Sequence, residues 1–222
     1  MAAVLPGVAA SAPAALPRPT DPNEALERLL EGSRRFAQGR TTNLNRTLER
    51  LQELGTRQQP FAAVLGCSDS RVPVEILFDQ GFGDIFVSRV AGNVATAEVI
   101  GSIEYATELL GTIVVLTLGH TGCGAVRATM DGTAAPGLIG SLYPYINPAV
   151  EDAGAQGIDA VVAENVRNQV DTLRNASPVL GARLAAGTLR VEGGVFDFRT
   201  GLVTLVETPH RARRTAPAPS DH

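Results

Sequence analysis

Residues 61–70 read FAAVLGCSDS, six residues without a polar side chain followed by cysteine, serine, aspartate and serine. A continuous apolar run that stops at small polar residues describes a strand buried on both faces, opening into a loop at its carboxyl end. Two further runs repeat the pattern, DIFVSRV at 84–90 and TIVVLTLGH at 112–120. Between them PVEILFDQG and TAEVIGSIEYATELLG carry helical spacing, and strands alternating with helices predict a parallel sheet covered on both faces. Near the end, TLRVEGGVFDFRTGLVTLVE (188–207) reads as two strands joined by a turn at Thr200–Gly201, an antiparallel hairpin on the sheet edge. The fold class is therefore α/β: a mostly parallel central sheet, about four parallel strands plus an antiparallel edge strand, flanked by helices.

Ahead of this core, DPNEALERLLEGSRRFAQG (21–39) has a capping Asp21, Pro22 at the first helical position, apolar Leu26, Leu29, Leu30 and Phe36, and Gly39 as a stop. A second short helix is expected over 44–54, another over 124–131, and a long one around 156–176 beyond a Gly/Pro-interrupted stretch. The chain has 222 residues, 44% of them hydrophobic, enough for one sizeable core and too few for two comfortable domains. The expected organisation is a flexible arm over 1–20, a single α/β domain over 21–208 and a disordered tail over 209–222.

A formal charge of -4 and a pI near 5.4 provide no basic field for a polyanion, so nucleic acid is not an expected partner. All 19 basic residues are arginine, which excludes a Schiff-base lysine and a Walker-type phosphate lysine. No run of about 20 apolar residues spans a membrane. Two cysteines make no disulfide scaffold, so reduced thiols and a reducing, cytoplasmic compartment are expected. Export stays open if residues 1–20 are a trimmed leader.

The chemistry gathers where the strands end. Cys67 follows the first strand, and His120 and Cys123 follow the third in GHTGC (119–123). In an open α/β sheet, ligands bind outside the carboxyl ends of the strands, so neighbouring strands would deliver both thiols and the imidazole to one crevice. Two thiolates and an imidazole form a zinc ligand set with an open fourth position, the arrangement of a catalytic site. Taken singly, each cysteine also reads as a small buried hydrophobe, and a disulfide between the two is a rival arrangement. Asp69 and Arg71, two residues apart on an extended turn, can pair and hold the carboxylate ionised, either to close the metal site or to orient hydroxide beside it. Zinc lowers the pKa of bound water from about 15.7 to about 7, though two thiolates offset its charge, so alkaline pH should favour activity. Small apolar walls from Val72, Phe86, Val90 and Ala91, with Gly92 allowing close backbone approach, suit a small, nearly apolar electrophile.

CSDSRVPVEILFDQGFGDIFVSRVAGN together with GSIEYA and LGHTGCGAV resembles the beta-class carbonic anhydrases, and the similarity runs from about Leu26 to Glu207. The resemblance implies zinc-dependent, reversible hydration of carbon dioxide to bicarbonate and a proton by zinc-bound hydroxide. It implies one Zn2+ per chain on Cys67, His120 and Cys123, with Asp69 and Arg71 as the catalytic dyad. It places Gln58, Phe86 and Tyr105 among the substrate-pocket residues, beside Val72, Ala91, Gly92 and Gly124, with the glutamine contributed by a partner subunit. Members that close the metal site with the dyad aspartate carry a tryptophan, an arginine and a tyrosine where this chain has Val64, Arg89 and Phe196. Two of the three are missing, and an open zinc is expected. The resemblance further implies a homodimer, with pairing into tetramers left open, and the helices of 22–39 lying across the neighbour. The rival functions are a carbonyl sulfide or carbon disulfide hydrolase on the same scaffold, and a non-catalytic zinc-binding protein.

Overall fold

The computed structural model describes residues 16–209. A five-stranded sheet forms its centre, with β1 (Ala62–Gly66), β2 (Ile85–Arg89), β3 (Val114–His120), β4 (Arg190–Phe196) and β5 (Val203–Val206) in the order β2-β1-β3-β4-β5. β1 pairs in parallel with β2 and β3, β3 in parallel with β4, and β5 runs antiparallel on the edge. Every residue of β1 and β3 is buried, which is why these segments read as unbroken apolar runs. β2 is the other edge, and its residues are only half-buried or exposed.

Alternation along β1 sorts the two faces. Ala62 and Val64 face α1 (Pro22–Ala37) and α3 (Val74–Leu77), through Leu26, Leu29, Leu77 and Phe78. Ala63 and Leu65 face α4 (Ala97–Glu108) and α7 (Ile158–Ala176), through Ile103, Val170 and Leu173. A third cluster caps the carboxyl ends of the strands: Cys67 and Cys123 lie in it with Val126 of α5 (Gly124–Met130), Ile146 of α6 (Tyr143–Ala153) and Val161 of α7. The two cysteines are thus seated in an apolar wall at the rim of the sheet.

The helix signals hold where their caps hold. Asp21 Oδ1 accepts hydrogen bonds from the N–H groups of Asn23 and Glu24 at 2.8 and 3.1 Å, and Gly39 takes φ +64 just past the C-cap of α1. α2 is Leu48–Glu53, inside the expected 44–54. PVEILFDQG yields only the single turn of α3, because Asp79 adopts φ 47 and its carboxylate is bound by the loop at 42–43. Two helices went unread in the sequence, α6 and α8 (Pro178–Ala185). Pro148 sits inside α6 and removes one backbone donor, but Ile146, Ala149 and Ala153 bury a continuous face that outweighs it. The hairpin exists as β4–β5, with a loop longer than a two-residue turn: the N–H of Asp197 donates to Leu202 O, and Gly201 takes φ +71.

Of the segment read as an arm, residues 16–20 lie against the domain: Arg18 donates to the carbonyls of Gln59, Pro60 and Gly111, and Arg28 to that of Pro17. Residues 1–15 and 210–222 lie outside the described residues. Among the described residues no helix is long and apolar enough to cross a membrane.

Candidate metal centre

β1 ends at Gly66 and β3 at His120, and adjacent parallel strands ending side by side bring their following loops together. One ligand atom each from Cys67, His120 and Cys123 lies within 4.8 Å of the others, and all three residues are buried. The thiols are unbridged, which removes the disulfide arrangement. His120 Nδ1 is hydrogen-bonded to Thr121 O at 3.1 Å, which assigns the proton to Nδ1 and the lone pair to Nε2. That Nε2 is buried and has no hydrogen-bond partner. A buried acceptor facing two thiols and left unpaired fits a cation at this point, and two sulfurs and a nitrogen are the donor chemistry of zinc.

Hydrogen bonding from Cys123 lowers the Cys67 thiol to about 4, against the opposing effect of burial and with help from His120 and the Gly92 N–H. The Cys123 proton is held correspondingly tightly, first by its bond to Cys67 and then by burial. Burial by itself would push His120 down, but the adjoining Cys67 sulfur and its negative charge bring it above its ordinary value. A pocket that favours a thiolate and crowds protons together gains by exchanging them for a divalent ion.

Asp69 lies beside this cluster, its Oδ2 3.8 Å from His120 Nε2. Arg71 grips it in a fork, Nε to Oδ1 at 3.0 Å and Nη2 to Oδ2 at 2.8 Å, with the Arg71 N–H adding a third bond to Oδ1 at 2.9 Å. Chiefly the Arg71 side chain holds the carboxyl well below the usual carboxylate range. Two more residues complete its support: Arg89, which the sequence pointed to only as part of the closing set, and Phe198, which it did not assign to the site. Arg89 donates to Cys67 O at 2.9 Å and to Asp69 O at 2.6 Å, clamping the turn from beneath. Phe198 lies between the two halves, its ring 5.2 Å from that of His120 and 4.2 Å from the Arg71 guanidinium carbon. No spacing signal marks Phe198, since it follows β4, distant in sequence from both partners.

The expected pocket residues divide into two groups. Gly92 belongs to the centre: its N–H points at Cys67 Sγ, 3.4 Å away. Its missing side chain makes room for Ile146 rather than for substrate, because a Cβ there would meet Ile146 Cδ1 at 2.8 Å. Ala91 opens the same 3-10 turn (Ala91–Asn93), and Gly124 starts α5 with open space where a Cβ would be. Val72 is fully buried in the core under the Asp69–Arg71 turn. Gln58, Phe86 and Tyr105 are not brought to the cluster within one chain. Gln58 precedes β1 whereas Cys67 follows it, and Phe86 is level with Ala63, about 13 Å of strand short of Cys67. Phe86 packs against Tyr105 at 6.3 Å between centroids, and Tyr105 shares an open groove of about 460 Å³ with Gln58, Leu54 and Leu109.

The family model described as carbonic anhydrase matches residues 62–203. The chain belongs to the beta-class carbonic anhydrases. It is 37% identical over 193 residues to a carbonic anhydrase of Mycolicibacterium smegmatis, covering 84% of this chain and 94% of that one. Among solved structures it resembles the beta-carbonic anhydrase of Coccomyxa, with a TM-score of 0.63 and 28% identity over 85% of this chain and 87% of the other. A tetrameric beta-carbonic anhydrase of Sordaria macrospora shares the fold at a TM-score of 0.68, with 20% identity over 82% of this chain and 97% of its own. As in other beta-class carbonic anhydrases, the sheet is mixed and flanked by helices.

Proposed function

We propose that the protein is a zinc-dependent carbonic anhydrase that interconverts carbon dioxide and bicarbonate, with Cys67, His120 and Cys123 holding one zinc ion per chain. The observation that carries this reading is the unpaired, buried Nε2 of His120 facing two unbridged thiols, next to a carboxylate already committed to an arginine. When bound, zinc supplies a Lewis acid that acidifies water and so provides a nucleophile at moderate pH.

The protein groups around it orient that nucleophile. Asp69 is ionised, and an ionised carboxylate only accepts hydrogen bonds. With both oxygens anchored on Arg71, it would accept a hydrogen bond from the nucleophile's O–H, keeping its own charge, and so orient a lone pair toward carbon dioxide. We infer that Asp69 stays on Arg71 and leaves the fourth metal position open. Arg89, the one matching position of the closing set, is occupied by Cys67 O and Asp69 O, while Val64 and Phe196 are buried in the core. Val90 and Val94, in the apolar cluster around the two cysteines, would help to exclude bulk water from a substrate that itself carries no charge.

The pocket is proposed to be completed by a second copy of the chain. Gln58 and Tyr105 sit at the amino end of the sheet beside the half-exposed edge β2, where only a neighbouring subunit could carry them to a metal centre. Two thiolate ligands suit a reducing compartment such as the cytoplasm. Stopped-flow hydration of carbon dioxide, run beside sulfide release from carbonyl sulfide and carbon disulfide, tests the reaction. Carbon dioxide turnover that rises toward alkaline pH is expected, and sulfide release without carbon dioxide turnover would overturn the assignment.

A further inference from the structure

α7 lines the core with Val161, Val162, Val166, Val170 and Leu173, yet the same buried stripe contains two amides, Asn165 at 1% and Gln169 at 2% exposure. Buried amides persist only where their hydrogen bonds are made, and here each amide sends one to the same loop. Asn165 Nδ2 donates to Gly92 O at 2.9 Å, and Gln169 Oε1 accepts from the Ala95 N–H at 2.9 Å. Gln169 Nε2 donates to Asn165 Oδ1 at 3.0 Å and to Tyr145 O, on α6, at 3.1 Å. The pair therefore grips the 91–95 loop at both ends and ties it to two helices.

We infer that Asn165 and Gln169 are positioning residues for the metal centre, acting through the backbone of Gly92 on the sulfur of Cys67. This rests on the reading of Cys67 as a metal ligand. Gly92 holds φ +78, a conformation that a side chain resists, and its N–H is a backbone donor on Cys67 Sγ, beside that of Asp69. Holding its carbonyl at one end of the turn and the Ala95 N–H at the other narrows the φ and ψ that Gly92 can take, and with them the direction of that N–H. A donor on a ligating sulfur withdraws charge from it, so a metal held by two thiolates regains part of the acidity they remove. The amide pair thus sets how strongly Cys67 donates.

Cobalt(II) substitution reads the sulfur directly, through its thiolate-to-metal charge-transfer band. In Asn165→Ala the band should move to longer wavelength, and zinc affinity by chelator competition should weaken about tenfold. Gln169→Glu, which keeps the acceptor for Ala95 but loses both Nε2 donations, should shift the band in the same direction by less, and it serves if Asn165→Ala does not fold. Val170→Ala, on the same helix and buried in the core, controls for packing and should lower Tm without moving the band. A band in Asn165→Ala or Gln169→Glu that superimposes on that of the parent would overturn the inference while leaving the metal reading intact. Absence of the band in the parent protein would instead defeat the metal reading and this inference with it.

Discussion

A cysteine, an aspartate and a glycine each do one separable job at the centre. With Cys67 as a proposed metal ligand, Cys67→Ser should lose most zinc and most turnover together, measured by metal analysis and stopped-flow hydration. The Asp69 carboxylate lies 3.8 Å from His120 Nε2 and is bound by Arg71, so Asp69→Asn should keep zinc yet lower kcat about 100-fold, the range of a lost orienting contact. Full activity in Asp69→Asn would contradict the orienting role. Gly92→Ala must adopt a left-handed backbone and push on Ile146 Cδ1, at a cost of about 2 kcal/mol, measured as a fall in Tm. The convergence of Cys67, His120 and Cys123 and the pairing of Asp69 with Arg71 were legible in the sequence, because cysteine and histidine are so scarce that their placement after strands stands out. The clamp of Arg89 and the wedge of Phe198 were not, since an arginine and a phenylalanine at those positions look like any edge-strand or hairpin residues.

At the level of elements, the loop preceding α2 is held to the end of α3 by one carboxylate. The Asp79 side chain has no exposed surface and accepts from Arg35 Nε at 2.8 Å, Thr42 N at 2.9 Å, Thr42 Oγ1 at 2.8 Å and Asn43 N at 3.0 Å. Burial alone would raise its pKa, but these donors lower it below the ordinary value. A depressed folded-state pKa means that the stabilisation is complete above the unfolded value, near 3.9, and is lost as pH falls through the lower folded-state value. Urea unfolding of Asp79→Asn should show a loss of about 2 kcal/mol at pH 6 that shrinks below pH 4; a pH-independent difference would contradict this. This network also explains why PVEILFDQG, helical by spacing, gives a single turn. The elements read correctly were those whose local signal agreed with their burial, β1, β3 and α1 above all. α6 was hidden by Pro148, whose local cost is overridden by packing that no window of sequence displays.

For the whole molecule, the order β2-β1-β3-β4-β5 leaves β2 at an open edge and puts Gln58 and Tyr105 at the wrong end of the sheet for their own metal centre. Light scattering at working concentration should show a dimer. Co-refolding Asp69→Asn chains with Gln58→Ala chains should give mixed dimers with one intact pocket, more active than either parent; no gain on mixing would place each pocket within a single chain. The most direct test of the central claim is zinc stoichiometry followed through chelation and readdition, with carbon dioxide hydration measured on the same samples. A single zinc per chain, activity lost on its removal and recovered on adding zinc alone, is the predicted result. Undiminished hydration by metal-free protein would contradict it.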